Sequence, residues 1–444
     1  MSQTYDLILR GGTVVSHRGV GIADIGVREG RIDDVGDLGK ASAGGVIDAT
    51  GLHILPGVID TQVHFREPGM VHKEDLESGT RGAVLGGVTA VFEMPNTRPT
   101  TTDPDALVDK LARARGRAWC DHAFYLGATA ENAAMLGEWE RLPGCCGIKV
   151  FMGSSTGDLL VAADEDLRRV LASGTRRAAI HSEDEDRLNE RKPLAVDDVA
   201  SHAVWRDVET ALMATTRLMR LAREANRRVH VLHVTTAQEI ALLAGHKDLA
   251  TVEVTPQHLT LAAPDCYEQL GSRAQMNPPI RGREHRDALW RGVADGVVDV
   301  VGSDHAPHTL DEKAQTYPAS PAGMPGVQTI LPILLHHVSQ GRLTLMQVHD
   351  LLCAGPARIF GIAGKGRIAA GYDAAFTLVD LAAKHTIANA EMANKAGWTP
   401  FDGREVTGWP VATIIRGHAV MRDGELAGPP FGQPLRSEEH TSEL

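Results

Sequence analysis

The sequence predicts an α/β protein: a parallel, TIM-like (β/α)8 barrel carrying a small β domain built from both chain ends. Three observations predict it. Between about Gly57 and Gly364, short apolar runs alternate with helix-like stretches through eight units. The two ends of the chain read instead as short strands broken by Gly turns. Polar residues stand at the ends of the apolar runs, where such a barrel gathers its working side chains.

Taken in order, "YDLILRGGTVVS" and "GIADIGVREGRIDDVGD" place the first part of the β domain in residues 1–55. The barrel occupies 56–364. Its strands are read in "PGVIDTQVHF", "VTAVFEMPN", "DHAFYLGA", "CGIKVFMG", "RAAIHSED", "VHVLHVTT", "TVEVTP" and "VVDVVGSDH". Helices are read between several of them, in "DPDALVDKLARARGRA", "ENAAMLGEWERL" and "DVETALMATTRLMRLAREAN". Residues 365–435, with "GRIAAGYDAAFTLVDL" and "VATIIRGHAVMRDGEL", complete the β domain. The last nine residues, "RSEEHTSEL" at 436–444, carry no apolar periodicity. They read like a translated adapter joined to a shortened gene and are set apart from the fold.

A chain of 444 residues with 43% hydrophobic and 23% charged residues is ordinary for a soluble globular protein. The net charge of -12 argues against a nucleic-acid surface, which needs a basic face. It leaves room for a small anionic substrate, because one Arg in a pocket outweighs a distant negative surface. No apolar run is long enough to cross a bilayer, so no membrane partner is expected. The five cysteines form no CxxC pair and are expected to be reduced thiols in the cytoplasm.

The strand ends offer one set of polar groups. Strand one supplies Gln62, His64 and Arg66; strand two, Asn96; strand four, Lys149; strand five, His181; strand six, His233. Asn277 follows strand seven, and strand eight supplies Asp304, with His305 and His308 close behind. A lone His at a strand end is more often a hydrogen-bonded structural residue than a ligand. Three His at separate strand ends plus an Asp suit Zn²⁺ or a similar ion. Lys149 stands in a run that should be buried, which favours the neutral amine. Its head either reaches solvent past the strand end or reacts with carbon dioxide to give a carbamate. His305 should face the wall, because neighbours on a strand point to opposite sides. The same geometry aims Gln62 and His64 one way, so a His pair there would grip one metal. The first member here is Gln.

Together "HFREPG", "EMPNT", "MNPPIR" and "SDHAPH" resemble the cyclic amidohydrolases, above all the long bacterial dihydroorotases with a barrel and a β-sandwich. The likeness runs from about Tyr5 to Pro434. It implies reversible, metal-dependent interconversion of L-dihydroorotate and N-carbamoyl-L-aspartate in pyrimidine synthesis. It implies metal ligands at His64, a carboxylated Lys149, His181, His233 and Asp304, with Asp304 also the acid/base. Arg66, Asn96 and His308 would meet the substrate carboxylate, Asn277 would lie beside the ring, and the loop at "AGMPGVQT" would close the site. The family has His where Gln62 stands. One zinc held by Lys149, His181 and His233 is therefore expected to be firm, and a second, at Gln62, His64 and Asp304, weak or absent. A homodimer is expected by family habit. Two other readings stand beside this one: a silent dihydroorotase-like partner of aspartate transcarbamoylase, and a hydantoinase- or allantoinase-like hydrolase.

Overall fold

The structure is a computed structural model that describes residues 4–155 and 159–439. Eight parallel strands follow one another in the expected order, each hydrogen-bonded to the next. They are β1 (Val58–Val63), β2 (Val88–Glu93), β3 (Asp121–Gly127), β4 (Cys145–Phe151), β5 (Ala178–His181), β6 (Val229–Val231), β7 (Ala250–Val254) and β8 (Val300–Val301). Every residue of these strands is buried, as a sheet covered on both faces requires. The ends meet where Val63 pairs with His305 in parallel and the His64 amide donates to the His305 carbonyl at 2.7 Å. That contact turns an open sheet into a barrel.

Helices cover the outside. Asp103 caps the helix Pro104–Ala114 by accepting from the Ala106 amide, and Asp207 caps Val208–Glu224 through the Thr210 amide. The helix read in "ENAAMLGEWERL" shrinks to Leu136–Trp139. Asn132 is diverted into side-chain bonds with the Thr129 amide and the Gly127 and Thr102 carbonyls, which competes with a helical turn. Gly137 lies so close to Gly174 that an added Cβ would sit 2.6 Å from its nitrogen.

The chain ends form one mixed sheet of nine strands. Thr4–Ser16 runs antiparallel to Gly19–Arg28 and parallel to Ser42–Asp48 and His53–Pro56. His53–Pro56 then pairs with Phe376–Thr386, joining the two ends of the chain. Glu405–Ile415, His418–Arg422 and Glu425–Leu426 extend the sheet. Its tight turns at Arg416–Gly417 and Asp423–Gly424 have positive φ at both residues, the geometry that matches hairpin twist. Leu9, Ile25, Ile54, Phe376, Leu378 and Ile414 lie at the centre of a core separate from that of the barrel.

The segment at 436–439 lies against the barrel. Ala363 donates to the Arg436 carbonyl, Glu438 donates to the Gly361 carbonyl, and Arg176 donates to Ser437 Oγ at 2.8 Å. Residues 440–444 of the tail lie outside the described residues.

Asp121, at the start of β3, ties the two domains together. Its carboxylate accepts from Lys365 Nζ at 2.7 Å, Arg416 Nη1 at 2.6 Å and the Gln433 amide at 2.9 Å. Burial pushes this carboxyl up, but Lys365 and Arg416 outweigh it and hold its pKa below the ordinary carboxylate value. The stabilisation is therefore present at neutral pH and is lost as pH falls below the ordinary carboxylate range. Asp121→Ala takes the buried acid from Arg416 and leaves Lys365 with Asp373, at 3.3 Å, and should cost about 3–5 kcal/mol. A thermal melt at pH 7 should show a clearly lowered midpoint, and the gap from the parent should narrow as pH drops toward 3; equal melting curves at pH 7 would remove Asp121 from this role.

Candidate active site

The strand ends of β1, β2, β4, β5, β6 and β8 open on one pocket with an empty volume of about 350 Å³. Gln62, His64, Arg66, Asn96, Lys149, His181, His233, Asn277 and Asp304 all line it. Phe151, Ser155, Ala306, Ala322 and Gly323 complete the wall. His308 is buried behind the wall, in contact with Arg66. The loop containing "AGMPGVQT" contributes Ala322 and Gly323, so it does lie over the pocket.

Two donor pairs share the pocket with Lys149. In one, Asp304 Oδ1 accepts from Gln62 Nε2 at 3.0 Å and lies 3.3 Å from His64 Nε2. His64 Nδ1 contacts Asn96 Oδ1 at 2.7 Å, so Asn96 helps to orient that ring. In the other pair, His181 Nδ1 and His233 Nε2 are 3.0 Å apart. His181 Nε2 meets Glu183 Oε2 at 2.9 Å, which leaves Nδ1 as the nitrogen that looks into the pocket. Glu183 is itself gripped by Arg206.

Lys149 Nζ is buried, has no hydrogen-bond partner among the described residues, and lies 4.4 Å from the centre of the Phe151 ring. Burial lowers its pKa to about 7, so a large fraction of the amine is uncharged near neutral pH. The solvent-reaching alternative is thereby removed. Burial also lowers His64, His181 and, most strongly, His233, keeping the rings uncharged.

Arg66 does not pair with Glu67 or Asp75. Glu67 takes Arg117 instead, at 2.9 Å. Arg66 is buried, its Nε donates to the Pro307 carbonyl at 3.3 Å, and its Nη2 lies 3.3 Å from His308 Nε2. Asn277 accepts from His202 Nε2 at 2.9 Å and donates to Ser155 at 3.4 Å, so it is a fixed part of the wall. His305 points away from the pocket, as its place next to Asp304 requires: its ring accepts from the Gly326 amide and meets Glu74 at 3.4 Å.

Three residues of this cluster, Arg66, His233 and Asp304, have φ of 61°, 36° and 46°. Each such left-handed residue costs of order 1–3 kcal/mol and persists only where its surroundings hold it. Sequence reading missed this strain, and it missed Glu183 and Arg206. A signal for Glu183 was present: it stands two residues after His181, on the same side of an extended chain. Arg206 is too distant in sequence to be read.

Among the described residues, no three His, Cys, Asp or Glu side chains are grouped to hold a metal ion. The donor chemistry explains this. Such groups occur here in pairs, and the third donor beside His181 and His233 is a Lys. Two convergent imidazole nitrogens fit two ligands of a tetrahedral ion, and a carbamate on the unpartnered Lys149 would supply the third. On the other side, Gln62 spends its amide nitrogen on Asp304 while its Oε1 has no partner. The residues therefore fit one ion well on the His181 side and a second one poorly.

The amidohydrolase family model matches residues 53–420. A dihydroorotase of Halobacterium salinarum is 38% identical over 423 residues, covering 94% of this chain and 98% of that protein. An allantoinase of Rubrobacter xylanophilus is 36% identical over 458 residues, covering 99% of each. The solved L-hydantoinase of Arthrobacter aurescens superposes with a TM-score of 0.93 at 30% identity, covering 97% of this chain and 99% of that one. With a closed parallel barrel, a polar pocket at its carboxyl-terminal mouth and relatives named for the opening of cyclic amides, this chain belongs to the amidohydrolase family, among its cyclic amidohydrolases.

Proposed function

We propose that the chain is a dihydroorotase, opening L-dihydroorotate to N-carbamoyl-L-aspartate and closing it again, in cytoplasmic pyrimidine synthesis. The observation that carries this reading is Arg66, buried in the pocket wall with its guanidinium beside His308. A guanidinium fork in a dry wall asks for a carboxylate. Dihydroorotate carries one on its ring, whereas the rings of hydantoin and allantoin do not. Retention of every expected polar group except Gln62 argues for a working enzyme over a silent scaffold for aspartate transcarbamoylase.

A divalent ion such as zinc, when bound, polarises an amide carbonyl and lowers the pKa of a water. His181 Nδ1 and His233 Nε2 would hold it, with Lys149 after its amine has added to carbon dioxide and released a proton. Glu183 fixes the His181 ring for that task. Asp304 accepts a proton from the attacking water and returns it to the departing ring nitrogen. Arg66, Asn96 and His308 bind and orient the substrate carboxylate, and Asn277 borders the ring. The Ala322–Gly323 loop excludes solvent from the reacting centre.

A second reading, hydrolysis of hydantoin or allantoin, is favoured by the allantoinase and hydantoinase relatives. Arg66 decides between the two. Arg66→Met should lower kcat/KM for dihydroorotate by at least about 30-fold, the low end of losing one member of a buried charge pair. Under the second reading, hydantoin turnover exists and survives that change. Loss of ultraviolet absorbance on ring opening follows the first; absence of dihydroorotate turnover with metal and bicarbonate supplied rejects it.

Metal analysis by mass spectrometry should find one firmly held ion per chain. Gln62→His should raise this toward two, because even an outer ligand partner is worth about 10–100-fold in metal affinity. Two tightly held ions in the unaltered chain would reject the one-ion reading.

A further inference from the structure

The other end of the barrel carries a basic mouth that the proposed reaction does not use. Arg177 and Arg228 stand just ahead of β5 and β6, and Arg176 and Arg358 join them around one pocket at the amino-terminal strand ends. Its empty volume is about 1260 Å³, against about 350 Å³ for the candidate active site. The guanidiniums are only partly used. Arg177 Nη1 donates to the Val229 and Leu249 carbonyls at 2.9 and 3.2 Å, but its buried Nε has no hydrogen-bond partner among the described residues. Arg228 and Arg358 are exposed, and among the described residues their guanidiniums make no hydrogen bond or ion pair. The barrel's own acid in this mouth, Asp299, is taken by Lys247 and by the Val252 amide. Burial and the neighbouring charge of Arg228 hold Arg177 down to about 10, although Asp299 pulls the other way. An acceptor with several negative oxygens would relieve this crowding.

We propose that this mouth is a second anion-binding site, built for a small molecule that carries two linked phosphate groups. Carboxylates of the chain's own tail already stand there. Glu438 and Glu439 line the pocket, and Arg176 Nη2 lies 3.3 Å from Glu439 Oε2 and donates to Ser437 Oγ at 2.8 Å. The tail acids therefore compete with the anion for the same arginines. Arg176, Arg177, Arg228 and Arg358 together exceed what one carboxylate or one phosphate can engage, because each planar fork pairs with two oxygens of a single group. Two joined phosphates offer enough oxygens within one small volume. The net charge of the chain is -12, so arginines gathered around one hollow are a local exception rather than part of a basic surface. The site lies across the barrel from the candidate active site, since Arg177 precedes β5 and His181 ends it. It does not depend on which cyclic amide the active site opens.

Isothermal titration of the full chain with inorganic pyrophosphate, at low salt and without free metal, tests this. The parent should show a site for one anion per chain. Arg228→Gln combined with Arg358→Gln should weaken that site at least about 10-fold, the scale of a lost hydrogen bond to a charged group. Both side chains are exposed, so the fold should be kept. Glu438→Gln combined with Glu439→Gln removes the competing charge and should tighten binding about 2–5-fold, the range of an exposed ion pair. Arg66→Met, in the active-site pocket, should keep the site at the parent's affinity. Inorganic phosphate should bind the parent about 10-fold more weakly than pyrophosphate, having one group to offer instead of two. Absence of pyrophosphate binding in both the parent and the tail variant overturns the proposal. So does an affinity that the paired Arg variant leaves unchanged, a tail variant no tighter than the parent, or loss of the site in Arg66→Met, which would put the anion in the active site. Equal affinity for phosphate and pyrophosphate overturns the assignment of a two-phosphate ligand.

Discussion

The contact on which the rest depends is the closure of the barrel between its first and last strands. The His64 amide and the His305 carbonyl, 2.7 Å apart, join segments separated by some 240 residues of chain. Only that closure brings Gln62 and His64 against Asp304. It also aims Arg66 at His308, one turn of the chain further on. The geometry is tight enough to hold Arg66 and Asp304 in left-handed backbone conformations on either side of the seam. Strain of this kind is maintained by the surrounding bonds, and here those bonds are the barrel's own.

Desolvation then sets the chemistry. The pocket gathers Lys149, Arg66 and three histidines in a dry wall with few acids to balance them. Burial discharges the lysine and the rings rather than pairing them. A neutral lysine is a nucleophile, and a neutral imidazole is a ligand. The cost of burying charge thus favours uncharged nitrogen donors in this pocket. Around the rings the polar partners are placed with care: within the pocket Asn96 and Asp304 flank His64, and outside it Glu183 turns His181 and Glu312 pairs with Lys73.

Gln62 divides the site into unequal halves. Its amide nitrogen donates to Oδ1 of the Asp304 carboxylate. The side of His181 and His233 loses nothing by this, because its orientation comes from Glu183 and Arg206. Gln62 therefore touches the His64–Asp304 side of the pocket and, among the described residues, makes no hydrogen bond to the Arg66–His308 pair.

The periodicity of the chain by itself determined the barrel, its eight strands and the β domain shared by both ends, because alternation of apolar runs and turns is a local property. Spacing of two along a strand likewise foretold that Gln62 and His64 face together and that His305 turns away. Contacts between segments could not be read this way. Glu183 with Arg206, Lys73 with His308, and Asp121 with Lys365 and Arg416 each join residues whose neighbourhood only the closed fold creates. The state of Lys149 belongs to the same class: its sequence shows an apolar run, but whether the amine reaches water depends on how deep the mouth of the barrel lies above it. Local pattern decides which way a side chain points; tertiary closure decides what it meets there and whether it keeps its charge.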